Sequence, residues 1–350
     1  MSWTDPRPHP PGPRLEPEAK PHAGATIAVW LLRLAVFAHA LALFLYVFMT
    51  RQTQFGNVLF LELFDPRVGE VYFGFRLDDP YLAAVWVERV TVSLYLLAGL
   101  SVLVRPCWPV LLLMSAYALA EALSGTWFGG YRFNAWTLYA DALRWGAPLA
   151  LMLLVALPRV QTLNRLRLPL ARDLLRTLVA VVFTVHGLQA LYANPGFIDL
   201  IIGTFNQMLG LRVSEGAAVL MLRVIGVVDL AVALALLACP RPLLVPRAAW
   251  PPPPADSTTR RLIVPALLLW LAFWGFVTAL SRLTALGYRS GLDEYPELLM
   301  RAPHFLAPLA LWGLFAATYW PGGTRAGDAA PWARAEPAPA SARLVAAGPS

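Results

Sequence analysis

Long runs of apolar residues, separated by short polar stretches, dominate the chain between positions 26 and 320. A helix needs about 20 mostly apolar residues to cross the hydrocarbon core of a bilayer. Eight runs meet or approach this length, and the fourth and eighth are the shortest: 26–49, 82–104, 109–128, 143–158, 174–194, 216–239, 262–286 and 303–320. The pattern predicts an all-α, polytopic integral membrane protein with about eight transmembrane helices.

One polar frame occurs twice along this apolar background. ALSGTWFGGYR at 122–132 and ALSRLTALGYR at 279–289 match without a gap. Further matches flank the frame: His39 with His186, Arg89 with Arg223, Arg144 with Arg301, and the pentapeptide APLAL at 147–151 and 307–311. Apolar helices resemble one another by chance in Leu and Ala, but much less in Arg, His and Pro. The sequence therefore predicts a tandem duplication of a four-helix unit.

The duplication divides the chain into five segments. A Pro-rich tail and an Ala/Pro-rich tail have few large apolar residues, so both are predicted to be disordered and cytoplasmic. Each unit has an even number of helices, so both units should face the same way across the membrane. The predicted segments are the tail 1–23, the first membrane unit 24–158, a basic cytoplasmic linker 159–170, the second membrane unit 171–320 and the tail 321–350.

Composition and charge support a membrane location and suggest an orientation. Of the residues, 58% are hydrophobic and only 14% are charged, with a formal net charge of +7. The basic residues concentrate in the tails and in the loops of one side, which the positive-inside rule assigns to the cytoplasm. The first apolar run is too long for a signal-peptide core and is interpreted as a retained helix. We expect a bacterial inner membrane protein that contacts the lipid bilayer and no nucleic acid.

Ionisable residues inside the predicted spans lie mainly in the outer half of the membrane. Such groups are costly in lipid unless they are paired or face water, so they are candidates for function. We expect Arg89 and Arg223 to pair with Glu88, Glu121 or Asp229, either in a ligand-facing site or as structural clamps between helices. The candidate pocket comprises Arg89, Glu121, His186, Arg223, Asp229, Arg301 and His304.

Other polar residues favour structural roles. Arg144 and Arg301 begin helices, where a cation is unfavourable, and Asp141 and Glu297 lie three and four residues before them. Ion pairs within each helix are therefore expected. His39 and His186 lie within apolar helices, as hydrogen-bonded packing residues or as a ligand or proton-relay site.

Two further features belong to the outer interface. Tyr131–Arg132 and Tyr288–Arg289 end their predicted helices, where they can anchor the aromatic belt or face an anion. The long first loop, 50–80, mixes aromatic and acidic residues. It is expected to lie along the interface, to cap a site below it, or to receive a periplasmic partner.

The searches for catalytic and metal-binding motifs find nothing. The sequence contains no G-x-S-x-G, no H-E-x-x-H, no P-loop and no dinucleotide fingerprint. Its two cysteines, Cys107 and Cys239, have no ligand spacing, so neither a disulfide framework nor a zinc site is predicted.

A resemblance to a known family rests on two stretches of the second unit. Leu174-Leu175-Arg176 is followed by a mid-helix His186-Gly187, and RVIGVVDLAVALALL at 223–237 has small residues and a central acidic group. These motifs resemble the DoxX-like family of four-helix bacterial membrane proteins, here in tandem. The first unit departs from them, because Ala40 replaces the glycine and Tyr95 replaces the acidic residue.

The resemblance implies quinone-linked redox chemistry or membership of a membrane complex. Our first hypothesis is therefore an accessory or redox-associated subunit with a quinone- or anion-facing pocket and a membrane or periplasmic protein partner. The alternative is a small-molecule or lipid transporter that uses the cleft between the two units. An enzyme with its own chemistry is disfavoured by the missing motifs.

Overall fold

The computed structural model describes residues 23–49, 53–63, 79–128, 133–156, 161–238, 257–285 and 295–319. Helices account for nearly all of these residues. In chain order they are α1 (Ala23–Met49), α2 (Gln54–Val58), α3 (Pro80–Val104), α4 (Trp108–Phe128), α5 (Thr137–Ala140), α6 (Ala142–Leu151), α7 (Gln161–Leu191), α8 (Pro195–Met208), α9 (Glu215–Ala238), α10 (Ser257–Ala285), α11 (Tyr295–Met300) and α12 (Ala302–Tyr319). Single π-helical turns extend α2 over Leu59–Leu63 and α6 over Met152–Ala156.

Within the described residues, eight helical segments are long and apolar enough to cross a membrane. Six of them are single helices, and the fourth and eighth combine α5 with α6 and α11 with α12. The predicted all-α polytopic membrane fold is therefore confirmed. Residues 23 and 319 lie at the same end of the bundle, and we call the opposite end the distal end.

The fourth and eighth spans are longer than predicted because each begins with a separate short helix. Turns at Asp141 and Arg301 interrupt them. The backbone N–H of Arg144 bonds to Asp141, and that of His304 bonds to Arg301. The sequence alone aligns Arg144 with Arg301. When the two helix breaks are superimposed instead, Asp141 aligns with Arg301 and Arg144 aligns with His304. This alignment has the same offset as the repeated APLAL.

The helices of the two halves have the same neighbours. In the first half, α1 packs against α3 and α6, and α4 packs against α6; in the second, α7 packs against α9 and α12, and α10 packs against α12. The short helices follow the same rule, because α2 lies on α4 and α8 lies on α10. Between the halves, α1 packs on α12 and α6 packs on α7. A pseudo-twofold axis along the bundle would produce this pattern of neighbours.

Small residues allow the closest helix crossings. A Cβ added at Gly226 of α9 would lie 2.6 Å from the carbonyl oxygen of Gly187 in α7. A Cβ at Gly313 of α12 would lie equally close, 2.6 Å, to the carbonyl oxygen of Gly24 in α1. Close backbone approach through small residues is the usual way for membrane helices to gain packing energy.

Several predicted segments differ from the structure or fall outside it. Helix α7 begins at Gln161, so most of the predicted linker 159–170 is helical, in keeping with the high helix propensity of its Leu and Arg residues. The interface anchors Tyr131, Arg132, Tyr288 and Arg289, both tails and residues 64–78 of the first loop lie outside the described residues.

Candidate functional site

In the first half, two carboxylates hold the short helix α2 against the bundle. Glu88 of α3 is fully buried and accepts hydrogen bonds from the backbone N–H and the hydroxyl of Thr53, the N-cap of α2. Glu121 of α4 accepts from the backbone N–H groups of Gln54 and Phe55, at 3.1 and 2.9 Å. The carboxylates thus satisfy the free N–H groups that begin a helix.

Aromatic and histidine side chains complete this network below α2. His39 Nδ1 is hydrogen-bonded to the Tyr95 hydroxyl at 3.2 Å, and that hydroxyl donates to the Met114 carbonyl at 3.4 Å. The rings of Tyr95 and Tyr117 lie 4.9 Å apart. These described side chains pack together below α2, and His39 has the hydrogen-bonded packing role that was one of its two predicted roles.

The second half has a cavity of about 490 Å³ in the corresponding place. It lies between α7, α8, α9, α10 and the start of α12, and most of its lining is apolar. Asp229, which is 3% exposed and interacts with the Trp274 indole, lies at its deep end near the middle of α9. This volume falls within the range of pockets that hold small organic ligands.

Polar atoms without partners lie at the distal end of this cavity. The His186 and His304 rings stack with centroids 5.6 Å apart, and His304 Nε2 is hydrogen-bonded to the Ala140 carbonyl at 3.2 Å. Arg301 Nε, His304 Nδ1 and Thr204 Oγ1 are buried and have no hydrogen-bond partner among the described residues. These atoms are available to hydrogen-bond a molecule in the cavity.

A second, more polar chamber of about 300 Å³ adjoins the cavity at the distal end. The two share His186, Phe197, Arg301 and His304. Residues of both halves line this chamber, which places it near the pseudo-twofold axis. Its charged lining, within the described residues, consists of Asp141, Arg144, Arg282 and Arg301.

The cavity occupies the position of the first half's polar network. The repeat aligns four residues of that network with four that line the cavity: Glu88 with Leu222, Tyr95 with Asp229, Tyr117 with Trp274, and Glu121 with Thr278. Within the described residues, the same location in the fold therefore holds a hydrogen-bonded network in the first half and a cavity in the second.

A different helix cap makes this difference possible. Helix α8 begins with Asn194 as its N-cap and Pro195 at its first position. The Asn194 side chain accepts from the Gly196 N–H at 3.0 Å, and Pro195 has no N–H to satisfy. Helix α8 therefore needs no carboxylate from α9 or α10, whereas α2 uses two.

The cavity is partly closed toward the membrane. Helices α9 and α10 pack only weakly against each other, and α8 covers the distal end of the gap between them. Met221, Leu222 and Ile225 of α9 face the cavity across this gap. The cavity thus borders a gap between α9 and α10.

The structure brings together four of the predicted pocket residues and separates three. His186, Asp229, Arg301 and His304 line the cavity. The other three lie elsewhere: Glu121 at the start of α2, Arg89 beside the rings of Phe48 and Trp86, and Arg223 on the exposed surface of α9.

The expected pairing of Arg89 and Arg223 with buried carboxylates is wrong. Glu88 and Glu121 bond to the start of α2, and Asp229 faces Trp274. These carboxylates interact with the start of α2 and with Trp274 of α10, which are close to them only because of tertiary packing.

The two predicted ion pairs have different outcomes. Arg144 pairs with Asp141 at 3.0 Å, as expected. Arg301 lies within electrostatic range of Glu297 but forms no ion pair within the described part of the chain. The turn at Arg301 ends α11, so Glu297 and Arg301 do not share the face of one continuous helix.

Sequence reasoning missed the residues of α8 and α10 that face the cavity. Phe197 and Ile201 of α8, and Trp274 and Thr278 of α10, line it. The dipeptide Asn194-Pro195 before the apolar run FIDLIIG was a usable signal for α8, since Asn and Pro are common at a helix start. Trp274 and Thr278 carry no signal apart from their correspondence with Tyr117 and Glu121.

Fold and site define a class, a polytopic helical membrane protein with a mainly apolar cavity inside its bundle. Comparisons of the chain with known protein families, with curated proteins and with solved structures find no match. No group of three or more His, Cys, Asp or Glu side chains that could hold a metal ion occurs among the described residues. The site's chemistry is therefore argued from its own geometry.

Proposed function

We propose that this protein binds a small amphipathic molecule from the bilayer in the cavity of its second half. The observation that carries the proposal is the contrast between the halves. Within the described part of the chain, the same place in the fold holds Tyr95 and Tyr117 in the first half and a cavity in the second. An apolar wall with a few polar groups at one end is the usual form of a small-molecule site.

Two broader proposals accompany this one. The shared helix neighbours and the repeated polar frame support an origin by tandem duplication of a four-helix unit. The basic character of the loops at the end that carries the termini supports a bacterial inner membrane location with both termini in the cytoplasm.

A quinone is one amphipathic molecule of the proposed kind. It would agree with the redox-associated role that the resemblance to the DoxX-like family implies, with the protein as an accessory subunit of a membrane or periplasmic partner. His186 and Arg301 have N–H groups that a carbonyl oxygen could accept from, and His304, whose Nε2–H donates to the Ala140 carbonyl, offers Nδ1 as an acceptor. Transport through the cleft between the halves stays the alternative prediction, which substrate uptake by reconstituted vesicles would test.

The test is to purify the full chain in mild detergent, extract it with organic solvent and analyse the extract by mass spectrometry. The variant Asp229→Tyr places in the cavity the ring that Tyr95 provides in the first half. We expect the wild-type protein to retain a stoichiometric amphipathic molecule and the variant to retain at least tenfold less.

Val227→Tyr is the matched control, because Val227 lies on the same helix and is 58% exposed, outside the cavity. It should retain the molecule at the wild-type level. Equal retention by the wild-type protein and Asp229→Tyr, with both folded, would refute binding in this cavity.

A further inference from the structure

The two halves differ in where they place negative charge. Three carboxylates lie within the distal part of the first half: Glu88, Glu121 and Asp141. Their counterparts in the second half are Leu222, Thr278 and Arg301, of which none is acidic. All three counterparts line the cavity. Asp229, the counterpart of Tyr95, is the one carboxylate among the described residues that line the cavity, and it lies at the deep end, away from Arg301.

The helix breaks at Asp141 and Arg301 also differ in charge between the two halves. Asp141 and Arg144 form an ion pair of 3.0 Å across the first break. At the equivalent positions of the second break stand Arg301 and His304. His304 is 4% exposed, and its Nδ1 atom, like Arg301 Nε, is buried without a hydrogen-bond partner among the described residues. A cation and an imidazole thus stand where the first half has an acid and its cation.

The surroundings add positive charge. Arg144 and Arg282 line the same polar chamber as Arg301 and interact with it electrostatically. Asp141 is already paired with Arg144, and Glu297 interacts with Arg301 only at a distance. Arg301 thus has no ion pair within the described residues, and a cation in a site of low dielectric constant favours an anion nearby.

From these observations we infer that the bound molecule is an anionic amphiphile. Its carboxylate or phosphate head group accepts hydrogen bonds from Arg301, which stands where the first half has Asp141. Its apolar chain extends along α8 toward the gap between α9 and α10. The inference rests on the proposed function, because it names the chemical class of the molecule held in that cavity.

The experiment uses the full chain in nanodiscs of uncharged phosphatidylcholine. The probe is 11-(dansylamino)undecanoic acid, and its methyl ester is the uncharged analogue. Binding is followed by dansyl fluorescence. We expect the acid to bind about tenfold or more tightly than the ester, because hydrogen bonds between charged groups are the stronger kind.

Arg301→Gln removes the proposed partner of the head group, and Arg223→Gln is its control. Both variants lose one positive charge, but Arg223 is on the exposed surface of α9 and does not line the cavity. We expect Arg301→Gln to abolish the preference for the acid and to leave binding of the ester unchanged. Arg223→Gln should keep the wild-type preference.

Competition identifies the source of the anion. Displacement of the probe by palmitate or by hexadecyl phosphate at micromolar concentration supports an amphiphile and shows which head group fits better. Displacement by acetate or inorganic phosphate at the same concentration would overturn the amphiphile, because it would show a site for a soluble anion.

The remaining outcomes separate the two proposals. Equal binding of acid and ester, blocked in both cases by Asp229→Tyr, would overturn the anionic head group and leave the proposed function standing. Binding of neither probe would count against both proposals. A preference for the acid that survives in Arg301→Gln would overturn the role given to Arg301.

Discussion

At the scale of single residues, the crossing of α7 and α9 depends on Gly187 and Gly226. A Cβ added at Gly226 would lie 2.6 Å from the Gly187 carbonyl oxygen, which is too close, and one added at Gly187 would lie 3.0 Å from the Gly226 carbonyl oxygen, which is tight. The cavity begins next to this crossing, with His186 on one helix and Asp229 on the other. A change in the separation of α7 and α9 would therefore move both side chains.

Gly226→Ala is expected to destabilise the protein by about 1–3 kcal/mol, since its methyl group overpacks a close crossing. Thermal unfolding in detergent, followed by circular dichroism, measures the effect. The control is Gly216→Ala in the same helix, where no atom lies within 4 Å of the added Cβ. It should leave stability unchanged or slightly higher, because alanine favours a helix. Equal melting temperatures for the two variants would show that the crossing is loose.

At the scale of elements, the short helices α2 and α8 lie in equivalent places but begin differently. Helix α2 uses Glu121 from a neighbouring helix, and α8 uses its own Asn194 and Pro195. The start of α2 is therefore capped by a residue distant in sequence, whereas the start of α8 is capped by the residue that directly precedes it.

Glu121→Ala is expected to release the start of α2, because it leaves the Gln54 and Phe55 N–H groups without their acceptor. Each lost bond of this kind costs about 1–3 kcal/mol, so hydrogen exchange of residues 54–58 should become at least tenfold faster.

Glu62→Ala is the control for that measurement, because Glu62 is exposed and the substitution removes the same charge. Exchange in α2 should keep the wild-type rate in this variant. Unchanged exchange in Glu121→Ala would mean that packing on α4 alone holds α2.

The sequence predicts the elements better than it predicts the site. The long spans are visible because a bilayer demands about 20 apolar residues, whatever the packing around them. The break at Arg301 has a signal in Pro303, which lies in the first turn of α12, whereas no Pro lies near the break at Asp141. His186, Asp229, Arg301 and His304 could be selected as polar residues in apolar spans. The roles of Glu88 and Glu121 depend on α2, whose position is set by tertiary contacts.

At the scale of the whole molecule, the proposed orientation can be checked with Cys107. This cysteine is exposed and lies between α3 and α4, at the end that carries residues 23 and 319. In a Cys239→Ser background, a membrane-impermeant maleimide should label Cys107 in inside-out vesicles and leave it unlabelled in spheroplasts.

The reverse pattern is expected for a cysteine at the distal end. Leu211 lies between α8 and α9 and is 53% exposed, so Leu211→Cys in a chain lacking both native cysteines is a suitable reporter. Labelling of Cys107 in spheroplasts, with Leu211→Cys protected, would invert the proposed topology.

The packing of the first half against the second has a consequence for how the protein can evolve. A bundle with a cavity is less stable than a packed one, since unfilled space loses van der Waals contacts. Helices α1 and α6 pack against α12 and α7, so contacts from the first half support helices that border the cavity. Under the proposed function, residues around the cavity can then vary in size and polarity, and change which molecule fits, at less cost to the fold.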